Sequence, residues 1–187
     1  MSEDHPSYGI IRIPIDRVGA LIGRGGKTKA QIEKYASVEL LIDSETGEVE
    51  VRGSDDPIRA LTTVSVVQAI GRGFSPEKAI ALYNDNYQLV VISLRDYAKP
   101  GSRRIQQIRA RIIGTGGRTR SIIEELTSVH ISVYGDTVSL IGDYVSVEYA
   151  KEAVIKLILG SKQRTVYTYL EKVAREVRLK RIEETFG

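Results

Sequence analysis

The sequence contains no cysteine and only two histidines, His5 and His130. Without cysteine the chain forms no disulfide and offers no thiolate to a metal ion, which suits a reducing compartment. His5 lies in a polar tail and His130 in a predicted strand, and the sequence places no cluster of metal ligands around either. We therefore expect a protein that is not an enzyme and that needs neither a metal nor another cofactor.

Long hydrophobic runs are also missing. No segment reaches the roughly 18 apolar residues of a membrane span, and the start, Met1 to Asp4, has neither the basic nor the hydrophobic part of a signal peptide. The 187 residues are nevertheless 42% hydrophobic and 27% charged, a composition typical of globular proteins. These features predict a cytoplasmic protein.

What the sequence does contain is an internal repeat of a glycine-rich stretch. The residues Ile22-Gly23-Arg24-Gly25-Gly26-Lys27-Thr28-Lys29 return as Ile113-Gly114-Thr115-Gly116-Gly117-Arg118-Thr119-Arg120, and 113 minus 22 gives an offset of 91. Three glycines, one threonine and two basic positions recur together. Since a repeat fixes the number of functional units, the sequence predicts two.

Basic residues cluster around both stretches although the net charge is only +3. Residues 95–120 contain eight basic residues and one acid, and residues 12–34 contain six basic residues and two acids. The compensating acids of the first half lie downstream of its glycine-rich stretch, so positive potential is focused there. This distribution predicts an anionic partner.

Both halves show the same order of predicted elements: strand, helix, glycine loop, helix, two strands and a third helix. In the second half these are 87–94, 103–113, 118–126, 129–134, 137–141 and 145–159, with an arginine-rich loop at 95–102. In the first half the strands are 10–14, 38–43 and 48–52, and the first two helices are one capped by Asp16 and one at 27–36. The third helix begins at Asp55 or Asp56 and ends at Gly71 or Gly73. Its predicted inward residues are Ile58, Leu61, Val64 and Ile70.

Two further segments follow the two halves. Residues 74–86 predict a connector that holds one short helix. Residues 164–185 predict an amphipathic helix that has no counterpart in the first half. We interpret it either as a helix packed across the two units or as a docking helix for a protein or RNA partner. Its predicted apolar stripe is Val166, Leu170, Val173, Val177 and Ile182.

The glycine loops are predicted anion sites, because a helix that follows a loop directs unpaired backbone amides at it. A Walker-type phosphate loop needs glycine where Leu21 stands, and a dinucleotide fingerprint needs glycine or alanine where Thr28 and Thr119 stand. The remaining pattern is Gly-x-x-Gly between two short helices. It holds the sugar-phosphate backbone of about four nucleotides of a single strand, so we expect single-stranded RNA as the ligand.

The stretch from Asp16 to Thr28 resembles the KH family, and the resemblance covers residues 8–73 and, more loosely, 87–160. It implies an α+β fold with two type I KH domains of order β-α-α-β-β-α, each a three-stranded sheet backed by three helices, plus a C-terminal amphipathic helix. The implied domains are the first KH domain at 8–73, a connector at 74–86, the second KH domain at 87–160 and the C-terminal helix at 161–187.

The same resemblance implies where RNA binds. The glycine loops contact phosphates, and unstacked bases enter an apolar groove walled by Val18, Ile22, Ile32, Leu40 and Ile42. Independently of the resemblance, Tyr35, Tyr83 and Tyr149 fall on predicted apolar helix faces, so we expect most of them in the core, and Tyr97 is the candidate for base stacking. The predicted RNA-binding residues are Ile22, Gly23, Arg24, Gly25, Gly26, Lys27, Lys29, Arg104, Arg111, Ile113, Gly114, Thr115, Gly116, Gly117, Arg118 and Arg120.

The run from Arg109 to Arg120 is similar to the archaeal and eukaryotic small-subunit ribosome-assembly KH proteins. That resemblance implies binding near the 3′ end of precursor small-subunit rRNA, in partnership with the endonuclease that trims it, and makes the C-terminal helix a candidate contact for the protein partner. Two alternatives remain: a general KH regulator or accessory factor of RNA decay, and a protein-interaction scaffold whose loops bind nothing.

Overall fold

The computed structural model describes residues 6–53 and 55–186. The chain divides into two compact units, Met1–Leu89 and Val90–Gly187, and each carries a three-stranded sheet with helices. The α+β class, the two repeats and the C-terminal helix are therefore confirmed. Within the described residues, none of the helices has the length and apolarity needed to cross a membrane.

The first unit follows the order β-α-α-β-β-α and adds a short fourth helix. Its sheet has the order β1-β3-β2, so β2 is an edge strand, antiparallel to β3 with Leu40 opposite Val51. The elements are β1 (Ser7–Arg12), α1 (Ile15–Ile22), α2 (Lys27–Ala36), β2 (Glu39–Ile42), β3 (Glu48–Arg52), α3 (Pro57–Gly71) and α4 (Pro76–Ala79), which a 3-10 turn extends over Ile80–Tyr83.

The second unit repeats this order and ends in a long helix. Its sheet has the order β4-β6-β5, with Ile131 of the edge strand opposite Leu140. The elements are β4 (Tyr87–Ser93), α5 (Arg103–Ile113), α6 (Arg118–Thr127), β5 (His130–Tyr134), β6 (Thr137–Asp143), α7 (Tyr144–Ile158) and α8 (Gln163–Phe186).

The predicted inward face of α3 is correct at Ile70, which is buried, and at half-buried Val64, but it is wrong at Ile58 and Leu61. Ile58 is 77% exposed and Leu61 is also exposed, whereas the small residues of the helix are buried against the sheet. The reason is close packing of the helix on the sheet: a Cβ on Gly71 would lie 2.5 Å from Cγ2 of Ile13, and one on Gly9 would lie 3.1 Å from Cγ2 of Val64. Because α3 is apolar on nearly all sides, its packing on the sheet rather than the hydrophobic pattern alone selects the buried face.

Aspartates cap the third helix of each unit. The carboxylate of Asp56 accepts hydrogen bonds from the amides of Ile58 and Arg59, both at 3.1 Å. Asp143 holds the first amides of α7 in the same way, as expected for an N-cap. Asp16, in contrast, is not a cap: α1 begins at Ile15 after a proline, so Asp16 lies inside the first turn.

The helix α8 packs on α6 and α7 of its own unit. Val166, Leu170 and Val173 are buried there, whereas Ile182 near the end of the predicted stripe is exposed. The hydroxyl of Tyr169 donates a hydrogen bond to Glu152 of α7, and this bond is the main cause that holds the pKa of Glu152 below its usual value. The first half of α8 is thus part of the fold of the second unit.

The first unit contains a shortened counterpart of α8, which the sequence did not reveal. The helices α7 and α3 begin 144 minus 57, or 87, residues apart, and α8 and α4 begin 163 minus 76, also 87, residues apart. Gly73 and Gly160, again 87 apart, both have positive φ, at 97° and 104°. Residues 74–86, predicted as a connector, pack on α3 through buried Phe74, Ala79 and Leu82. The prediction that α8 has no counterpart is therefore wrong.

Two leucines of α8 provide a matched test of this packing. Leu170 is 1% exposed and Leu179 is 54% exposed. We expect Leu170→Ala to lower the free energy of unfolding of the second unit by about 2–4 kcal/mol, because it leaves a cavity. Leu179→Ala should change it by less than about 0.5 kcal/mol. Urea denaturation measures both, and equal costs would contradict the packing of α8 described above.

Candidate nucleic-acid interface

The first glycine loop reverses the chain between α1 and α2 in four residues. The amide of Gly23 bonds to the carbonyl of Gly19 and ends α1, and the amide of Gly26 bonds to the carbonyl of Gly23 at 3.1 Å. Gly23 has φ 75° and ψ 172°, Gly25 has φ 60° and ψ 27°, and Gly26 has φ 75° and ψ 11°. All three are conformations that favour glycine.

The second loop has the same backbone. Gly114 has φ 72° and ψ 172°, Gly116 has φ 61° and ψ 22°, and Gly117 has φ 77° and ψ 11°. The amide of Gly117 again bonds to the carbonyl three residues earlier at 3.1 Å. The two copies differ inside the loop, where Thr115 replaces Arg24, yet their dihedral angles agree within 5° at every glycine. The two loops therefore have the same backbone conformation.

The glycines have two different reasons to be glycine. A Cβ on Gly23 would lie 2.2 Å from the hydroxyl oxygen of Thr28, and one on Gly114 would lie 2.2 Å from that of Thr119. These two glycines let the second helix approach the end of the first. Around Gly25, Gly26 and Gly116 nothing lies within 4 Å of a Cβ position. Those glycines leave a bare backbone surface that a ligand can approach closely.

Both loops end at a helix that has no side-chain cap and no acid in its first turn. The amides of Lys27 and Arg118 already donate to the carbonyls of Arg24 and Thr115, but the positive end of the helix dipole at each loop still favours an anion. Basic side chains surround them: Arg24, Lys27 and Arg118 are exposed, and Lys29 and Arg120 are half-buried. This chemistry suits a phosphate.

The predicted site residues differ in what their side chains do. Arg104 is exposed on α5, but Arg111 is half-buried and its guanidinium donates to the carbonyl of Leu157 at 3.2 Å, which ties α5 to α7. Of these two predicted site arginines, only Arg104 therefore has an exposed side chain. Near the second loop, the Nε atoms of Arg109 and Arg120 are buried and make no hydrogen bond among the described residues. Thr115 is exposed, and Ile22 and Ile113 are half-buried.

Two glutamates join the second helix of each unit to the edge strand. A carboxylate oxygen of Glu33 accepts the amide of Leu40 at 2.8 Å, and Glu124 accepts the amide of Ile131 at 2.8 Å. Glu33 also pairs with Lys29 at 3.6 Å. These bonds fix the distance between α2 and β2, and between α6 and β5, beside each glycine loop.

The predicted base groove needs a correction. Val18, Ile32 and Leu40 are buried in the core of the first unit rather than exposed as walls of a base groove. Only Ile22 and Ile42 of the predicted set remain half-buried at the surface. The prediction placed apolar side chains near the loop in the groove. Because side chains alternate between the two faces of a strand, however, Leu40 of β2 points inward to the core.

The tyrosine predictions need a similar correction. Tyr35 is more than half exposed, and Tyr83 and Tyr149 are half-buried rather than core. Tyr97, the stacking candidate, is exposed; its stacking on a base stays a prediction.

Sequence reasoning missed a hydrogen-bond cluster next to the second loop. The hydroxyl of buried Thr119 accepts bonds from the side-chain amide of Gln163 and from the hydroxyl of Tyr167, each at 3.1 Å. The Gln163 amide also donates to the carbonyl of Arg111 at 3.3 Å. The start of α8 is thus hydrogen-bonded to both α5 and α6, the helices that flank the second loop. The available signal was the spacing of four between Gln163 and Tyr167, which places both on one helical face.

His130, the histidine that the structure describes, is half-buried in β5 opposite Ile141. His5 lies outside the described residues. Across residues 6–53 and 55–186, no group of three or more histidine, aspartate or glutamate side chains is arranged to hold a metal ion.

Known proteins resemble the chain over nearly its whole length. Residues 88–175 match the eukaryotic-type KH domain, a type I KH domain, and residues 9–63 match the KH domain. A KH domain-containing protein of Methanocaldococcus jannaschii is 42% identical over 180 residues, which cover 95% of this chain and 78% of that protein. The pre-rRNA-processing protein pno1 of Schizosaccharomyces pombe is 27% identical over 173 residues, which cover 90% of this chain and 72% of that protein.

A solved structure agrees with these relatives. A chain of the a/eIF2α–aDim2p–rRNA complex from Pyrococcus horikoshii matches with a TM-score of 0.86 and 42% identity, covering 94% of this chain and 97% of that chain. The protein contains two KH domains and belongs to the KH-domain ribosome-assembly family of which pno1 and Dim2p are members.

Proposed function

We propose that this protein binds single-stranded precursor rRNA of the small ribosomal subunit, near its 3′ end, through both Gly-x-x-Gly loops. The observation that carries the proposal is the pair of loops with one backbone geometry, each with a bare glycine surface at the start of an uncapped helix. The two KH domains would span residues 8–73 and 87–160, with the segment 74–86 between them.

In the proposed mechanism the phosphates lie against the glycine surface. Each phosphate lies at the positive end of the α2 or α6 dipole, and the Arg24, Lys27 and Arg118 side chains add charge-assisted contacts. The RNA then runs along α2 or α6, so that its bases face the edge strand of the sheet. In the first unit Ile22 and Ile42 supply apolar contacts to these bases. Glu33 fixes the width of this groove through its bond to β2.

The relatives support rRNA and a protein partner. The S. pombe relative is named for pre-rRNA processing, and the P. horikoshii structure is a complex of aDim2p with rRNA and a/eIF2α. We therefore extend the proposal to a protein partner, which is a counterpart of a/eIF2α or an rRNA-processing or assembly protein such as the endonuclease that trims the rRNA. The exposed distal half of α8, with Leu179, Ile182 and Phe186 at its surface, is the proposed contact.

Crosslinking in cells of the source organism, followed by sequencing of the attached RNA, tests the proposed RNA. We expect enrichment at the 3′ end of precursor small-subunit rRNA. The matched control is the double variant Gly25→Asp, Gly116→Asp, which should lose this enrichment. An even distribution over messenger RNAs would contradict the ribosomal proposal and favour a general regulator.

Substitutions at Gly25 test the loop chemistry. Asp and Asn are similar in shape and both tolerate positive φ, and neither meets an atom within 4 Å at the Cβ position. We expect Gly25→Asp to weaken RNA binding by at least tenfold relative to Gly25→Asn, because only Asp places a negative charge where a phosphate must approach. Fluorescence anisotropy with a short single-stranded RNA measures both.

Gly23→Ala serves as the contrasting variant. Its Cβ would contact Thr28, and a ψ of 172° at positive φ is nearly restricted to glycine, so the variant should lower the free energy of unfolding by about 2–3 kcal/mol.

Equal RNA affinity of the Asp and Asn variants at Gly25 would remove the first loop from the mechanism.

Truncation tests the partner contact. Deleting residues 164–187 would remove Val166 and Leu170 from the core of the second unit, so a chain that ends at Val177 is the sharper variant. We expect it to remain folded and to keep RNA affinity within about twofold, because the side chains it loses are largely exposed. Its affinity for the source organism's initiation factor 2α, measured by calorimetry, should fall at least tenfold. Unchanged affinity would exclude the end of α8 as that contact.

A further inference from the structure

A groove in the first unit lies between α2 and the segment formed by α4 and its 3-10 turn. Its volume is about 350 Å³, and Thr28, Ile32, Tyr35, Ile80 and Tyr83 line it. Tyr35 is 54% exposed and Ile80 is 48% exposed. An open apolar groove with aromatic walls is the kind of surface at which binding energy concentrates.

The second unit shows what fills the corresponding groove. By the offset of 91 Thr28 corresponds to Thr119, and by the offset of 87 Ile80 corresponds to Tyr167. In the second unit the Tyr167 hydroxyl donates to Thr119 at 3.1 Å, so α8 of the same chain occupies the position. The first unit has the shorter Ile80 there, and its segment ends at Tyr83 instead of continuing as a helix.

The hydroxyl of Thr28 is oriented like that of Thr119, so it can accept a hydrogen bond from a tyrosine hydroxyl in the same way. Its distance to a Cβ on Gly23 is 2.2 Å, equal to the distance from the Thr119 hydroxyl to a Cβ on Gly114. In the part of the chain that the structure describes, no side chain donates to Thr28 in the way that Tyr167 donates to Thr119. The first groove thus keeps the polar anchor and lacks the residue that uses it.

The aromatic wall of the groove is held in place by its neighbours. The rings of Tyr35 and Tyr83 lie 4.7 Å apart between centroids, and the Tyr83 hydroxyl shares a 2.8 Å hydrogen bond with Thr63. The guanidinium of Arg59 lies 5.1 Å from the Tyr35 ring centroid. Because these contacts restrict both rings before a ligand arrives, binding loses little side-chain entropy.

We propose that this groove binds an amphipathic helix of a protein partner, which inserts a tyrosine whose hydroxyl donates to Thr28. The partner helix would lie beside α4 and its 3-10 turn, and only its tyrosine side chain would take the place in the first unit that the Tyr167 side chain takes in the second. The groove lies on the α2 face of Thr28, Ile32 and Tyr35, whereas Lys29 and Glu33, one position further along the helix, face the edge strand and the proposed RNA path. The partner and RNA therefore bind to different sides of α2.

The probe is a synthetic peptide of residues 161–174 of this chain, which carries the Gln163 and Tyr167 pair. Added to the isotope-labelled full-length protein, it should shift the NMR signals of Thr28, Tyr35 and Ile80. The matched control is the same peptide with Tyr167→Phe, which lacks only the hydroxyl and should bind about fivefold more weakly. Equal affinity of the two peptides would overturn the hydrogen bond to Thr28.

A variant that fills the groove from within gives the second test. Ile80→Tyr places in the first unit the residue that the second unit has, and it should abolish peptide binding while RNA affinity stays within about twofold. Ile58→Tyr, at an exposed position of α3 outside the groove, is the control and should bind the peptide normally. Three results would overturn the proposal: normal peptide binding by Ile80→Tyr, peptide shifts confined to the second unit, or shifts of Tyr35 and Ile80 caused by single-stranded RNA.

Discussion

The close approach of two helices across four residues is the constraint on which the candidate site depends. In each unit a threonine at the second position of the second helix lies against the first glycine of the loop, at a distance that leaves no space for a Cβ. This contact brings the helix start to the end of the preceding helix and turns the remaining glycines outward. Bare backbone, the positive end of a helix dipole and basic side chains then occupy one surface, which suits a phosphate.

The two units use this constraint with different surroundings. In the second unit, Gln163 and Tyr167 of α8 hold the threonine and connect it to the carbonyl of Arg111. In the first unit the equivalent segment is shortened and leaves a groove beside Thr28. The same loop is therefore braced from within the chain in one unit and is open to a partner in the other, which gives the two KH domains of one chain different capacities for protein contact.

Much of the fold could be predicted because it depends on local signals. The helix at residues 27–36 and the one at 103–113 were predicted with the bounds that the structure has, since glycine and serine mark their ends. The burial of Ile70 on α3 was predicted, but the exposure of Ile58 and Leu61 could not be, because it depends on the close packing of the helix at Gly9 and Gly71. That packing is a property of the assembled unit.

In the candidate site, too, the features that depend on local sequence could be predicted and those that depend on distant contacts could not. The glycine pattern predicted the loops, because positive φ at those positions is a local requirement. The roles of Arg111 and Glu33 depend on hydrogen bonds to residues 46 and 7 positions away, and the burial of Leu40 depends on strand pairing. The relation between α4 and α8 was hidden for another reason: their sequences differ, and only the equal spacing from the preceding helix and a glycine with the same φ reveal it.

The most direct test of the central claim is an NMR titration of the labelled protein with a short single-stranded RNA from the 3′ end of small-subunit rRNA. If phosphates bind at the loops, the backbone amides of Gly25, Gly26 and Lys27, and of Gly116, Gly117 and Arg118, will show the largest shifts. Shifts confined to other surfaces, with these six amides unchanged, would contradict phosphate binding at the glycine loops.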